Sequence, residues 1–143
     1  MNKIRDDIAD IVCNELVEET KNIMLETTND TVYESYYPAM YERRYEAGGL
    51  LSEENISVEK KLSGNSMEIE LENKTTGRTP TGKGTYRNNG VEIANMIESG
   101  EYIWGDVGPR PFLADTRRAI KKQDLVKKVV RKNLKAKGYK VIG

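Results

Sequence analysis

Between residues 56 and 71 the period of hydrophobicity drops to two, and that change does most to limit the folds open to this chain. Ile56, Val58, Lys60 and Leu62 alternate with polar neighbours, Ser63-Gly64-Asn65-Ser66 is turn chemistry, and Met67, Ile69 and Leu71 alternate again. Successive side chains of a strand point to opposite faces, so the two arms make a hairpin with one apolar and one charged face. An antiparallel sheet with one face in water has this signature.

On both sides of the hairpin the spacing is helical. Ile4, Ile8, Ile11 and Val12, then Leu16, Thr20 and Ile23, predict a helix over residues 2–27, capped by Asn2 and with Asp6 and Asp7 near its start. Thr31-Val32-Tyr33-Glu34 reads as a capping box that opens a short second helix. Pro38 starts a third, through about Glu46, and Gly48-Gly49 ends it. Residues 74–90, with Gly77, Pro80, Gly82, Gly84 and Gly90, read as a long flexible loop, and 91–99 as a short helix ended by Gly100. Tyr102-Ile103-Trp104 is a short apolar run, and Gly105 to Pro109 a turn. Pro111 starts a last helix reaching about Lys137. Leu113, Thr116, Ile120, Val130 and Leu134 share one face of it, while Leu125 and Val129 fall off that stripe. The helix therefore either breaks near Gln123-Asp124 or is covered from two sides. The expected fold is α+β in one domain over 1–143: helices in 2–46, a hairpin at about 53–73, a flexible loop at 74–90 and a helix at about 111–137. In this arrangement the long N-terminal and C-terminal helices pack a small antiparallel sheet.

Residue usage narrows the chemistry. The 143 residues include no His and one cysteine, Cys13. That removes the usual general base, the commonest metal ligand, any intrachain disulfide and any thiolate metal cluster. No catalytic, cofactor-binding or metal-binding residues stand out, and the chain is not expected to be an enzyme. MNKIRDDIADIV lacks the apolar run of a signal peptide, and no stretch approaches the ~20 apolar residues of a membrane span, so assembly in the cytoplasm is expected.

Thr75 to Gly90, TTGRTPTGKGTYRNNG, holds a near-copy of the phosphate-binding loop, with Gly77, Gly82 and Lys83 in place. The motif needs a Ser or Thr after its lysine to ligate magnesium, and a helix directly behind it. Gly84 stands there instead, and Gly84-Thr85-Tyr86-Arg87-Asn88-Asn89-Gly90 is a poor helix start. The stretch is read as a basic loop carrying Arg78, Lys83 and Arg87 that orders against a partner.

Charge is segregated along the chain. Residues 1–75 carry 17 acidic and 8 basic residues, and residues 76–143 carry 6 and 15. A solvated surface of mixed sign is one reading. The other joins the acidic part of one subunit to the basic part of the next, a head-to-tail contact of the kind that closes rings. Candidate interface residues are Tyr36, Tyr37, Pro38 and Tyr41 of a tyrosine cluster, with Arg43 and Arg44 beside them. Arg78, Lys83 and Arg87 of the loop join them, as do Arg110, placed to pair with Glu98 or Glu101, and Phe112. Arg117, Lys121 and Lys128 lie on the basic face of the last helix. That face is open to three uses: solvation, DNA phosphates or a neighbouring subunit.

Two stretches resemble a known family. Tyr33-x-x-Tyr36-Tyr37-Pro38-x-x-Tyr41-x-Arg43-Arg44, running on to Gly49-Leu50-Leu51, is similar to a segment frequent in small structural proteins of long-tailed bacteriophages. Ile97-Glu98-Ser99-Gly100, followed by Arg110-Pro111-Phe112-Leu113 and a basic helix, resembles the tail-component family encoded between capsid and tail genes. The resemblance implies a neck or tail-completion protein of the virion, assembled in the bacterial host. It implies rings, usually of six subunits, that touch the connector and the tail-tube or tail-terminator proteins, with DNA passing through the lumen. The reading from another class is a nucleic-acid-binding accessory protein that uses the basic helix and loop; a third is an enzyme with an unusual carboxylate site.

Overall fold

The computed structural model describes residues 3–35, 48–63, 66–82, 85–100 and 108–142. The chain is α+β. Its N-terminal arm is one long helical rod: α1 (Lys3–Ile11), a π turn (Val12–Leu16), α2 (Val17–Thr28) and a second π turn (Asn29–Tyr33). A short 3-10 turn (Glu53–Asn55) leads into hairpin β1 (Ile56–Ser63) and β2 (Ser66–Asn73), followed by a second hairpin, β3 (Thr76–Gly82) and β4 (Thr85–Glu92). Helices α3 (Ala94–Ser99), α4 (Phe112–Lys122) and α5 (Leu125–Ala136) complete it.

The rod does not stop at residue 27, and no capping box opens a second helix at Thr31. Threonine hydroxyls are the reason. Thr27 and Thr28 bond back to the carbonyls of Ile23 (2.8 Å) and Met24 (2.6 Å), which satisfies them inside the helix. Thr31 instead donates to Asp115 Oδ2 of α4 (3.0 Å). The π turns keep the inward face aligned. The backbone bonds there span five residues instead of four, so Ile11 and Leu16, and likewise Thr28 and Tyr33, are all buried although each pair is five apart.

The expected first hairpin forms, with Val58 paired to Leu71, Leu62 to Met67 and Ser63 to Ser66. Glu59 stands opposite Glu70, and Lys61 relieves that pair by a 2.7 Å ion pair to Glu70.

The expected flexible loop at 74–90 is a hairpin instead. Bulges between Thr76 and Arg78 and between Pro80 and Gly82 absorb the residues that look like breakers. A two-stranded ribbon has only edges, so Pro80, which lacks an N–H, costs no interior ladder bond.

The last helix breaks at Gln123-Asp124, the first of the two alternatives. Asp124 is left-handed (φ 52, ψ 37), and the turn re-aims α5 so that Leu125 and Val129, off the sequence stripe, become its buried residues. The rod and α4–α5 run antiparallel. Thr27 meets Thr116, Glu15 meets Lys132 and Asp7 meets Lys137. One core lies along this seam, built from Ile11, Leu16, Ile23, Leu125 and Val129. Ile69 of the first hairpin packs against it. A second core gathers Val32, Tyr33, Leu50, Ala94 and Phe112. The expected helix at 38–46 and the apolar run 102–104 lie outside the described residues.

Candidate functional site

The two halves of the second motif meet. Gly100 ends α3 in the left-handed region (φ 78, ψ 12), where glycine carries no penalty. A Cβ there would lie 2.5 Å from the Pro109 nitrogen, so the close return of the chain also requires glycine. The N–H of Arg110 donates to the Ile97 carbonyl (2.9 Å), and this places Pro111 and Phe112 at the start of α4.

Pro111 stands at the capping position of α4 and has no side-chain acceptor to offer. Glu98, on the neighbouring helix, supplies one. Its two carboxylate oxygens accept the N–H groups of Leu113 (2.8 Å) and Ala114 (3.0 Å), while the Phe112 N–H donates to the Arg110 carbonyl (2.8 Å). A carboxylate at a helix N-terminus is favoured by the dipole as well as by the hydrogen bonds. On sequence alone Arg110 is placed to pair with Glu98 or Glu101; Glu101 lies outside the described residues, and the Glu98 carboxylate caps α4. Sequence reasoning missed this because the two ends are 15 residues apart, although the lack of a capping side chain before Phe112 was a signal. Phe112, a candidate interface residue on sequence alone, is fully buried, and Arg110 is 8% exposed. The joint is a packing and capping device.

A buried polar hub holds the second core to both hairpins. The Tyr33 hydroxyl accepts the Leu50 N–H (3.2 Å), and Asn73 donates to the Leu50 carbonyl (2.9 Å). The Gly49 carbonyl accepts from Asn55 (2.9 Å) and from the Thr75 hydroxyl (3.2 Å). Asn73 and Thr75 thus fix the point where one hairpin hands over to the next.

Part of the segregated charge is used within the chain. Lys132 pairs with Glu15 (2.6 Å), and Lys137 with Asp7 (2.8 Å). Asn133 adds a 2.5 Å bond to Glu15, and the Tyr139 hydroxyl a 2.6 Å bond to Asp7. Gly138, left-handed at the end of α5, returns the chain so that the Tyr139 N–H reaches the Leu134 carbonyl and its ring turns back to α1. The Lys132 and Lys137 bonds hold the Glu15 and Asp7 carboxyls below their ordinary range, and the same bonds raise the two lysines.

Of the other expected site residues, Arg117, Lys121 and Lys128 are exposed on α4 and α5. Arg78 of β3 stands opposite Asn88, and Arg87 of β4 opposite Thr79, on paired strands unlike a phosphate loop. Lys83, Tyr36, Tyr37, Pro38, Tyr41, Arg43 and Arg44 lie outside the described residues. Among the described residues no cluster of acidic, His or Cys side chains is arranged to hold a metal, and no helix is long and apolar enough to cross a membrane.

No curated protein and no solved structure matches the chain. The family model YomN matches residues 1–136, from the N-terminus to the last residue of α5, and the chain therefore belongs to the YomN family, whose name is phage-derived.

Proposed function

We propose that this protein is a structural component of the virion at the head–tail junction of a long-tailed phage or phage-tail-like particle, where copies form a neck or tail-completion ring. The observation that carries the proposal is the joint. The two segments that resemble the tail-component family, Ile97–Gly100 and Arg110–Leu113, form one unit in which Glu98 caps α4 and Phe112 fills a core. The phage association of the family supports the same reading. In it the protein acts without catalysis, contacts connector and tail proteins, and needs no cofactor.

Deleting the gene from an inducible phage or prophage tests the proposal by electron microscopy. DNA-filled heads and separate, complete tails are expected to accumulate, and the plasmid-borne gene should restore joined particles. Normal particles without the protein would rule the role out.

One observation favours a second reading, nucleic-acid binding: the exposed cations Arg117, Lys121 and Lys128 share the α4–α5 arm. Duplex affinity that falls steeply with salt, with no oligomer under the same conditions, would support it over the ring.

A further inference from the structure

A cleft of about 910 Å³ opens between the end of the N-terminal rod and the stretch after Leu50. Leu25 and Leu51, both half-buried, supply its apolar wall, while Glu26, Asp30, Glu53 and Glu54 are exposed around it. None of these four carboxylates forms an ion pair among the described residues. The second π turn, Asn29–Tyr33, forms part of this wall, and such turns are frequent at functional sites.

The α4–α5 elbow has the opposite character. Arg117, Lys121, Lys122, Lys127 and Lys128 are exposed, and none of them is in an ion pair among the described residues. In their midst Val126 is 52% exposed, one of three large apolar side chains left on the described surface. The left-handed turn at Asp124 puts it there: by spending Leu125 and Val129 on the core, α5 leaves Val126 outside.

From this pairing we infer that the occupant of the cleft is a second copy of the chain, seated through the Val126 elbow. This rests on the assembly reading above and names its contact. The apolar wall receives Val126, and the four carboxylates face the lysines beside it. A nucleic acid would use the lysines alone; it would have no use for Val126 and would leave the cleft unfilled. A second copy uses all three features in one contact. Since cleft and elbow are different patches, the contact is heterologous, and repeated copies close into a ring or extend.

Charge reversal tests this. Glu26→Lys/Asp30→Lys/Glu53→Lys/Glu54→Lys makes both patches basic, and Lys121→Glu/Lys122→Glu/Lys127→Glu/Lys128→Glu makes both acidic. All eight positions are exposed, so circular dichroism should show wild-type folding. In native mass spectrometry and sedimentation, each variant alone is expected to associate at least about tenfold more weakly than wild type, because like charges then oppose across the contact. An equimolar mixture of the two should regain wild-type association, since each basic patch again meets an acidic one. Val126→Asp should weaken wild-type association without affecting the fold. A wild-type chain that stays monomeric overturns the inference, as does a mixture that fails to recover. Loss of duplex binding in the acidic variant, with no recovery in the mixture, would assign the elbow to nucleic acid. The gene-deletion phenotype is independent of this result. Unjoined heads and tails together with a non-recovering mixture would remove the contact and leave the head–tail role standing.

Discussion

Two backbone positions show how much of this molecule turns on single residues. Gly100 and Asp124 both adopt the left-handed conformation, one at the end of α3 and one between α4 and α5. They differ in what surrounds them. At Gly100 the space for a side chain is taken by the main chain of Gly108 and Pro109, so Gly100→Ala adds a backbone clash to an unfavourable φ. It should cost several kcal/mol, about 3 or more, or prevent folding, as read by urea titration. Asp124 is exposed and pays only the conformational penalty. Asp124→Gly should therefore raise stability by about 1 kcal/mol, and Asp124→Val should lower it by a similar amount. Glu98 gives a third prediction. Glu98→Ala leaves two first-turn N–H groups of α4 without their acceptor and should cost about 1–2 kcal/mol, whereas Glu98→Gln keeps one acceptor and should cost less. Equal effects of the two substitutions in the same titration would show that Glu98 does not work as a cap.

At the scale of elements, legibility followed how local the cause was. The first hairpin was readable because a period of two over two arms, with turn residues between, is a local statement, and its register follows from it. The second hairpin was not readable. Gly77, Pro80 and Gly82 are loop residues by composition, and only the bulges that house them show that pairing survives. Thr27 and Thr28 look like breakers until the carbonyls and the partner hydroxyl that satisfy them are known. Of the site, the exposure of the basic residues on α4 and α5 was legible, but the role of Glu98 depends on a contact made by the fold.

The helix seam also fixes a pH dependence. The Asp7 and Glu15 carboxyls are lowered from 3.8 and 4.5, so their pairing contributes in full above those values and is lost as the pH falls through the lowered folded values. Lys132 and Lys137 are raised from 10.5, so their contribution is full below that value and is lost as the pH rises through the raised ones. The melting temperature should hold a plateau between these limits. The gap between wild type and Glu15→Gln should be widest on that plateau and shrink at both ends. A gap that does not change with pH would mean that the pair contributes nothing through its charge.

The whole molecule has two cores but few ways to lose only one of them. The N-terminal rod gives Ile11, Leu16 and Ile23 to the first and Val32 and Tyr33 to the second. The C-terminal arm does the same in reverse order, with Phe112 and Leu113 in the second core and Leu125 and Val129 in the first. Because the two arms are antiparallel, each core is closed by both ends of the described chain. Melting the seam removes residues that continue, without a break in the rod, into the hub at Tyr33, Gly49 and Thr75. The two cores should therefore unfold together. Leu16→Ala in one and Phe112→Ala in the other are expected to cost about 2–5 and 3–5 kcal/mol respectively. Either is a large share of the roughly 5–15 kcal/mol that holds a domain of this size. Each variant should show one transition, at the same denaturant midpoint whether followed by helical dichroism or by the hydrogen exchange of the Leu50 and Thr75 amides in the hub. If Leu16→Ala melted the helices while those two amides stayed protected, the hub would be a separate folding unit. The joint would then have to be stabilised by the hairpins alone rather than by the paired arms.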